Sequence, residues 1–111
     1  MANNRLNQLL QFAEENPQDS FILFALAKEY EKLQQPQKAL AHYLQLTQQD
    51  PNYVGTYYHL GKLYEQQEEF HTAFFTYKKG MEIARAQGDQ HALSELAGAK
   101  LNLGDDEDFE E

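Results

Sequence analysis

The sequence has no cysteine, only three prolines and six glycines, and half as many basic as acidic side chains. The missing thiols exclude disulfide frameworks, thiolate metal sites and thiol nucleophiles together, while leaving the redox compartment open. No stretch approaches the roughly 18 apolar residues of a membrane span. Met1-Ala2-Asn3-Asn4-Arg5 leads into no apolar run of secretory type. The chain therefore reads as cytoplasmic, with no membrane partner. Nine Lys and Arg against 18 Asp and Glu leave none of the clustered positive charge that binds a phosphate backbone, so nucleic acid is not expected. The same excess of acid repels anionic lipid.

What is present favours helices. Val and Ile occur only as Val54, Ile22 and Ile83, whereas Leu, Ala, Gln, Glu and Lys are plentiful, the residues that lose least side-chain freedom in a helix. A chain of 111 residues buries roughly two-thirds of its unfolded surface, enough for one domain without metal or disulfide staples. Pro17, Pro36 and Pro51 separate apolar-periodic segments and can stop or open helices.

The spacing predicts six helices. The first runs over 4–15 with Leu6, Leu9, Leu10 and Ala13 on one face; the second, about 19–33, carries Leu23, Leu26, Ala27, Tyr30 and Leu33. A third to about Gln49 has Ala39, Leu40, Tyr43 and Leu46. Asn52 is the expected cap of the fourth, which carries Tyr57, Leu60, Gly61, Leu63 and Tyr64. The fifth has Phe70, Ala73, Phe74, Tyr77, Met81 and Ala84; the sixth has Leu93, Leu96, Ala97 and Leu101. They stop at Gly88 and Gly104, both suited to the left-handed residue that follows many helices.

Sliding the chain by 34 residues aligns Pro17 with Pro51, Leu26 with Leu60, Lys28 with Lys62, Tyr30 with Tyr64, Glu31 with Glu65, Ala39 with Ala73 and Tyr43 with Tyr77. Ala27 meets Gly61, and Leu23 and Phe24 meet Tyr57 and Tyr58. A helix-turn-helix period of this length signals a stacked α-solenoid. On these residues the sequence resembles the tetratricopeptide repeat family, whose pattern asks for a large residue, then Leu and a small residue, then Tyr, and in the second helix Ala, an aromatic and a closing Pro. One unit covers 18–51 and a second 52–88, the latter departing where Ala84-Arg85 replaces the proline. Residues 4–15 resemble the second helix of a preceding unit, and 90–104 the first helix of a following one, with Lys100 where Tyr is expected.

The resemblance implies an all-α fold: a short right-handed α-solenoid of antiparallel helix pairs, forming a single domain over 1–104. Leu26, Ala27, Tyr30, Ala39, Tyr43, Pro51, Leu60, Gly61, Tyr64, Ala73 and Tyr77 are its packing positions, small where helices cross and aromatic beside the crossing. It further implies a concave face that binds a peptide segment of a partner protein. Phe21, Phe24, Lys28, Glu31 and Lys32 of the first unit fall there, as do Tyr58, His59, Lys62, Glu65 and Gln66 of the second and His91 and Ser94 of the last helix. Members that grip a chaperone's C-terminal carboxylate use a Lys and an Asn where this chain has Phe24 and Lys28, so that function is not carried over.

No catalytic constellation is present, and no cofactor or metal is expected. His42, His59, His71 and His91 share no metal-ligand spacing, and there is no Gly-rich phosphate loop and no elbow serine. The expected function is a non-enzymatic interaction module, monomeric or weakly dimeric. The alternatives are a self-associating unit, held through Phe75 or the tail, and an acidic decoy for a basic surface. Residues 105–111 hold six of the 18 acids and read as a disordered tail that solubilises the chain. They also read as a ligand whose acids meet Lys28 and Lys62 while Phe109 fills an aromatic slot.

Overall fold

A computed structural model describes residues 4–109. Helices α1 (Asn4–Glu15), α2 (Ser20–Lys32), α3 (Pro36–Gln49), α4 (Gly55–Gln66), α5 (Phe70–Gln87) and α6 (Gln90–Leu103) are followed by one 3₁₀ turn, Asp106–Asp108. The described residues include no strand. The fold is all-α, built from the helix pairs of a helical solenoid. The chain divides into two compact units, one ending at Tyr53 and the other beginning at Val54. Repeat arrays permit such a division because each repeat contacts only its neighbours along the chain.

In the first unit α2 and α3 form a hairpin and α1 packs on α2. Asp19 caps α2 by accepting from the Ile22 amide at 3.2 Å. Ser20 Oγ donates to Asp50 Oδ2 at 2.6 Å, joining the start of α2 to the end of α3. Leu9, Leu23, Leu26, Ala27, Tyr30, Ala39, Tyr43 and Leu46 are buried. Leu10, expected on the buried face of α1, is 40% exposed. Packing against one neighbouring helix covers a narrow stripe, and Leu9 occupies it.

In the second unit α5 packs against both α4 and α6. Tyr57, Leu60, Leu63, Ala73, Phe74, Tyr77, Ile83, Ala84, Leu96 and Ala99 are buried. Tyr64 is half-buried beside this core. Two of its glycines exist to admit neighbours. A Cβ on Gly61 would lie 2.6 Å from Tyr77 Cζ, and one on Gly80 would lie 2.6 Å from Tyr57 Cβ and 3.0 Å from Leu96 Cδ1. The role of Gly61 follows from the repeat pattern; that of Gly80 does not, because its counterpart 34 residues earlier is Leu46.

Asn52 does not cap α4: that helix starts at Gly55 after Val54, with no side-chain cap. The Asp50-Pro51-Asn52 turn instead closes through the Tyr53 amide, which donates to the Asp50 carbonyl at 3.0 Å. Leu101, expected in the stripe of α6, is 68% exposed. The stripe runs through Leu96 and Ala99, and five residues beyond Leu96 a side chain points well off that side. Gly88 is left-handed as expected, at φ 70°, whereas Gly104 adopts φ 145°, ψ −171°, a different glycine conformation.

The turns after α2 and α4 are copies. Gln34 (φ 60°) and Glu68 (φ 61°) lie 34 residues apart, both left-handed. Gln35 N–H donates to the Tyr30 carbonyl at 2.9 Å and Glu69 N–H to the Tyr64 carbonyl at 2.8 Å, closing the same Schellman cap. Each hairpin is thus aimed by a residue that is not glycine in a conformation that favours glycine.

Candidate functional site

A four-residue cluster occurs once in each unit. In the first, Phe24 of α2 lies edge-on to Tyr43 of α3 with centroids 6.0 Å apart, and Lys28 Nζ stands 5.5 Å over the Phe24 ring. The buried Tyr43 hydroxyl donates to Glu31. In the second, Tyr58 is 6.4 Å from Tyr77, Lys62 Nζ stands 5.4 Å over Tyr58, and the Tyr77 hydroxyl donates to Glu65. Lys62 Nζ is also 3.8 Å from Glu65. The i, i+3 and i, i+4 spacing along α2 and α4 brings aromatic, lysine and glutamate to one side, and the second helix supplies the tyrosine.

The electrostatics follow from burial. Both tyrosine hydroxyls are pushed far above the usual phenol value, first by desolvation and then by the carboxylate that each one faces. They stay protonated donors. Glu31 is raised above the usual carboxylate value by desolvation, which outweighs the opposing hydrogen bond from Tyr43 and the nearby Lys28 charge. Glu31 and Glu65, expected on the binding face, therefore accept from core tyrosines. Each joins the face to the hairpin beneath it.

The first unit carries a pocket of about 340 Å³ lined by Arg5, Phe21, Phe24, Ala25, Lys28, Glu29 and Lys32. Phe21, Phe24, Lys28 and Lys32 come together there as the repeat register implies, and Phe21 is 67% exposed. Sequence reasoning missed Arg5 and Glu29. Arg5 Nε lies 3.2 Å from Glu29 Oε1, an exposed guanidinium on a carboxylate that is 5% exposed. The available signal was Arg5 at a position where the repeat asks for a small residue. With Lys38 elsewhere on α3, three of the four basic residues of the first unit line this pocket.

In the second unit Tyr58, Lys62 and Glu65 are together, and His59 lies edge-on to Tyr58 at 5.7 Å. Gln66 of α4 and His91 and Ser94 of α6 are exposed. A pocket of about 440 Å³ lies elsewhere in this unit, lined by Tyr57, Leu60, His71, Thr72, Phe75, Thr76 and Lys79. Phe75, assigned to neither stripe nor face, is half-buried in its wall, 4.9 Å from His71. Among the described residues no group of His, Cys, Asp or Glu is placed to hold a metal ion, and no helix is long and apolar enough to cross a membrane.

Family models for the TPR repeat match residues 27–68 and, as a tetratricopeptide repeat, 54–87. A solved tetratricopeptide repeat domain protein from Salinibacter ruber is 49% identical, with a TM-score of 0.75, over 77% of this chain and 94% of that one. This chain belongs to the tetratricopeptide repeat family. A solved protein from Bordetella parapertussis is 25% identical with a TM-score of 0.78, over 93% of this chain and 89% of that one. The TPR2B domain of yeast Sti1, in its complex with pHsp70, is 16% identical with a TM-score of 0.68, over 85% of this chain and 81% of that one, and shares the fold. No curated protein matched. The tetratricopeptide register explains why the Lys28 and Lys62 clusters recur at a spacing of 34: each sits on the first helix of its repeat.

Proposed function

We propose that this tetratricopeptide chain is a non-enzymatic protein-interaction module whose α2 face takes an acidic peptide segment carrying an aromatic or large apolar side chain. The family is a protein-interaction fold, and the Sti1 domain was solved with a partner. The observation that carries the reading is the α2 pocket, where Arg5, Lys28 and Lys32 line the same cavity as Phe21 and Phe24 in a chain of net charge −9, with Lys28 Nζ 5.5 Å from the Phe24 centroid and Arg5 paired with Glu29. Positive charge gathered around apolar rings recognises carboxylates beside an aromatic residue. On α4, Tyr58, His59, Lys62 and Gln66, with Glu65 holding Tyr77, present the equivalent face of the second unit, and His91 the next helix.

The test is titration of a fluorescent peptide with alternating Asp, Glu and Phe against the wild-type chain and a Lys28→Ala, Lys62→Ala double variant. The expected result is at least about tenfold weaker binding by the variant, with wild-type affinity falling steeply as salt rises. Equal affinity in the two chains overturns the reading.

A further inference from the structure

The segment after α6, expected either to be solvated acid or to lay its acids on Lys28 and Lys62, instead folds back on the second unit and places Asp106 on Lys100. Its reversal needs Gly104: a Cβ there would lie 2.8 Å from Asp108 Oδ2 and 3.2 Å from Phe109 Cε2, at φ 145°. A reciprocal capping box closes the turn, with the Asp105 side chain accepting from the Asp108 amide and Asp108 Oδ2 accepting from the Asp105 amide at 2.8 Å. The turn delivers two contacts. The Phe109 ring stacks on Phe74 with centroids 4.3 Å apart and planes 16° apart, and it lies 6.3 Å from His71. Asp106 Oδ1 pairs at 3.2 Å with Lys100 Nζ, which is itself 4.6 Å from the Phe74 centroid. Lys100 is only 17% exposed on its side chain, so this ion pair is partly shielded from solvent.

We propose that His71, Phe74 and Lys100 form a second peptide-binding slot, selective for an acidic segment of the form Asp-x-x-Phe, and that Asp106 to Phe109 occupies it as a built-in competitor. The two contacts that the turn delivers are side-chain contacts of a kind another chain can make: ring on ring, and carboxylate on lysine. The capping box shapes the turn from within the segment itself, so the link to α6 contributes proximity. A tether this short gives an effective concentration of about a millimolar, enough to exclude a loosely bound rival. A partner presenting the same pair of groups with further contacts displaces it. The slot is separate from the α2 pocket and stands whether or not that pocket binds.

The probe is the labelled peptide Gly-Asp-Asp-Glu-Asp-Phe, a copy of residues 104 to 109. It is titrated against the intact chain, an Asp106→Asn, Phe109→Ala chain, and that chain with Lys100→Met added. Binding to the doubly substituted chain is expected to be at least about tenfold tighter than to the intact chain. Adding Lys100→Met abolishes it, and amide shifts cluster at His71, Phe74 and Lys100. In the intact chain, roughly millimolar peptide moves the Phe109 ring resonances away from their Phe74-shifted positions. Equal binding by intact and substituted chains, shifts at Phe24 and Lys28 instead, or Phe109 resonances unmoved at saturating peptide each overturn the proposal. The last readout uses the unmodified chain and does not depend on how the substituted ones fold.

Discussion

The two units share a repeat and differ in how they dispose of volume and charge. At equivalent positions the first carries Leu23 and Leu46, both buried, and the second carries the larger Tyr57 with Gly80. A bigger side chain on one helix is offset by the loss of one on the next. The charges diverge as well. Lys28 and Lys32 of α2 and Arg5 of α1 line one pocket with Phe21 and Phe24, whereas in the second unit Lys100 is already engaged by Asp106. One repeat pattern thus yields one unit with a basic pocket and one whose lysine slot is filled by its own chain. The aromatic-lysine-glutamate-tyrosine cluster is common to the two units of this chain, and the residues flanking it differ.

The largest break in that comparison comes from imposing the first unit's leucine on the second. Gly80→Leu drives a side chain into Tyr57 and Leu96 and is expected to cost about 3 kcal/mol, read from the urea midpoint. Tyr57→Leu added to Gly80→Leu relieves the Tyr57 clash and recovers part of the loss, a coupling that a double-mutant cycle measures. Full additivity would dissolve the idea of volume compensation.

The cluster is probed next. Tyr43→Phe and Tyr77→Phe each remove a hydrogen bond to a half-buried carboxylate and are expected to cost about 2 kcal/mol. Near-equal losses in the same urea series would show that the cluster acts alike in both units. A loss confined to one unit would show that only one carboxylate depends on its tyrosine.

The turns go the other way. Gln34→Gly and Glu68→Gly relieve a left-handed conformation and are expected to gain up to about 1 kcal/mol each, additively because the sites are far apart in sequence and share no turn. The mildest effect is a matter of sign. Glu31 has a folded value above its unfolded one, so the folded state holds that proton more tightly. Its desolvated carboxylate weakens the fold as pH rises through the carboxylate range. Glu31→Gln should therefore gain stability relative to wild type between about pH 4 and pH 7, and a difference that shrinks over that span contradicts the assignment.

Much of this molecule was legible in its residues. Leu26, Tyr30, Ala39, Tyr43 and their partners at +34 announce both hairpins, because a helix can bury only what its 3.6-residue period brings to one side. The α2 face was legible for the same reason: Phe21, Phe24, Lys28 and Lys32 share one side of one helix. Arg5 and Glu29 were not, since pairing a residue of α1 with one of α2 depends on how the two helices cross. Gly80 carried no signal because its counterpart is a leucine, and the need for it arises where α4, α5 and α6 meet.

The acidic segment shows where such reading stops. Its composition argues for solvated chain, and although Phe109 among acids suggests a ligand for an aromatic slot, the lysines expected to receive it were Lys28 and Lys62. What holds Asp106 and Phe109 is a lysine and a phenylalanine on two different helices, Lys100 on α6 and Phe74 on α5. Helices, their stripes and the 34-residue period follow from interactions between near neighbours in the chain. The pocket on α2, the glycine beneath Tyr57 and the stacked Phe109 were decided by tertiary structure, because each depends on side chains that only packing brings within reach.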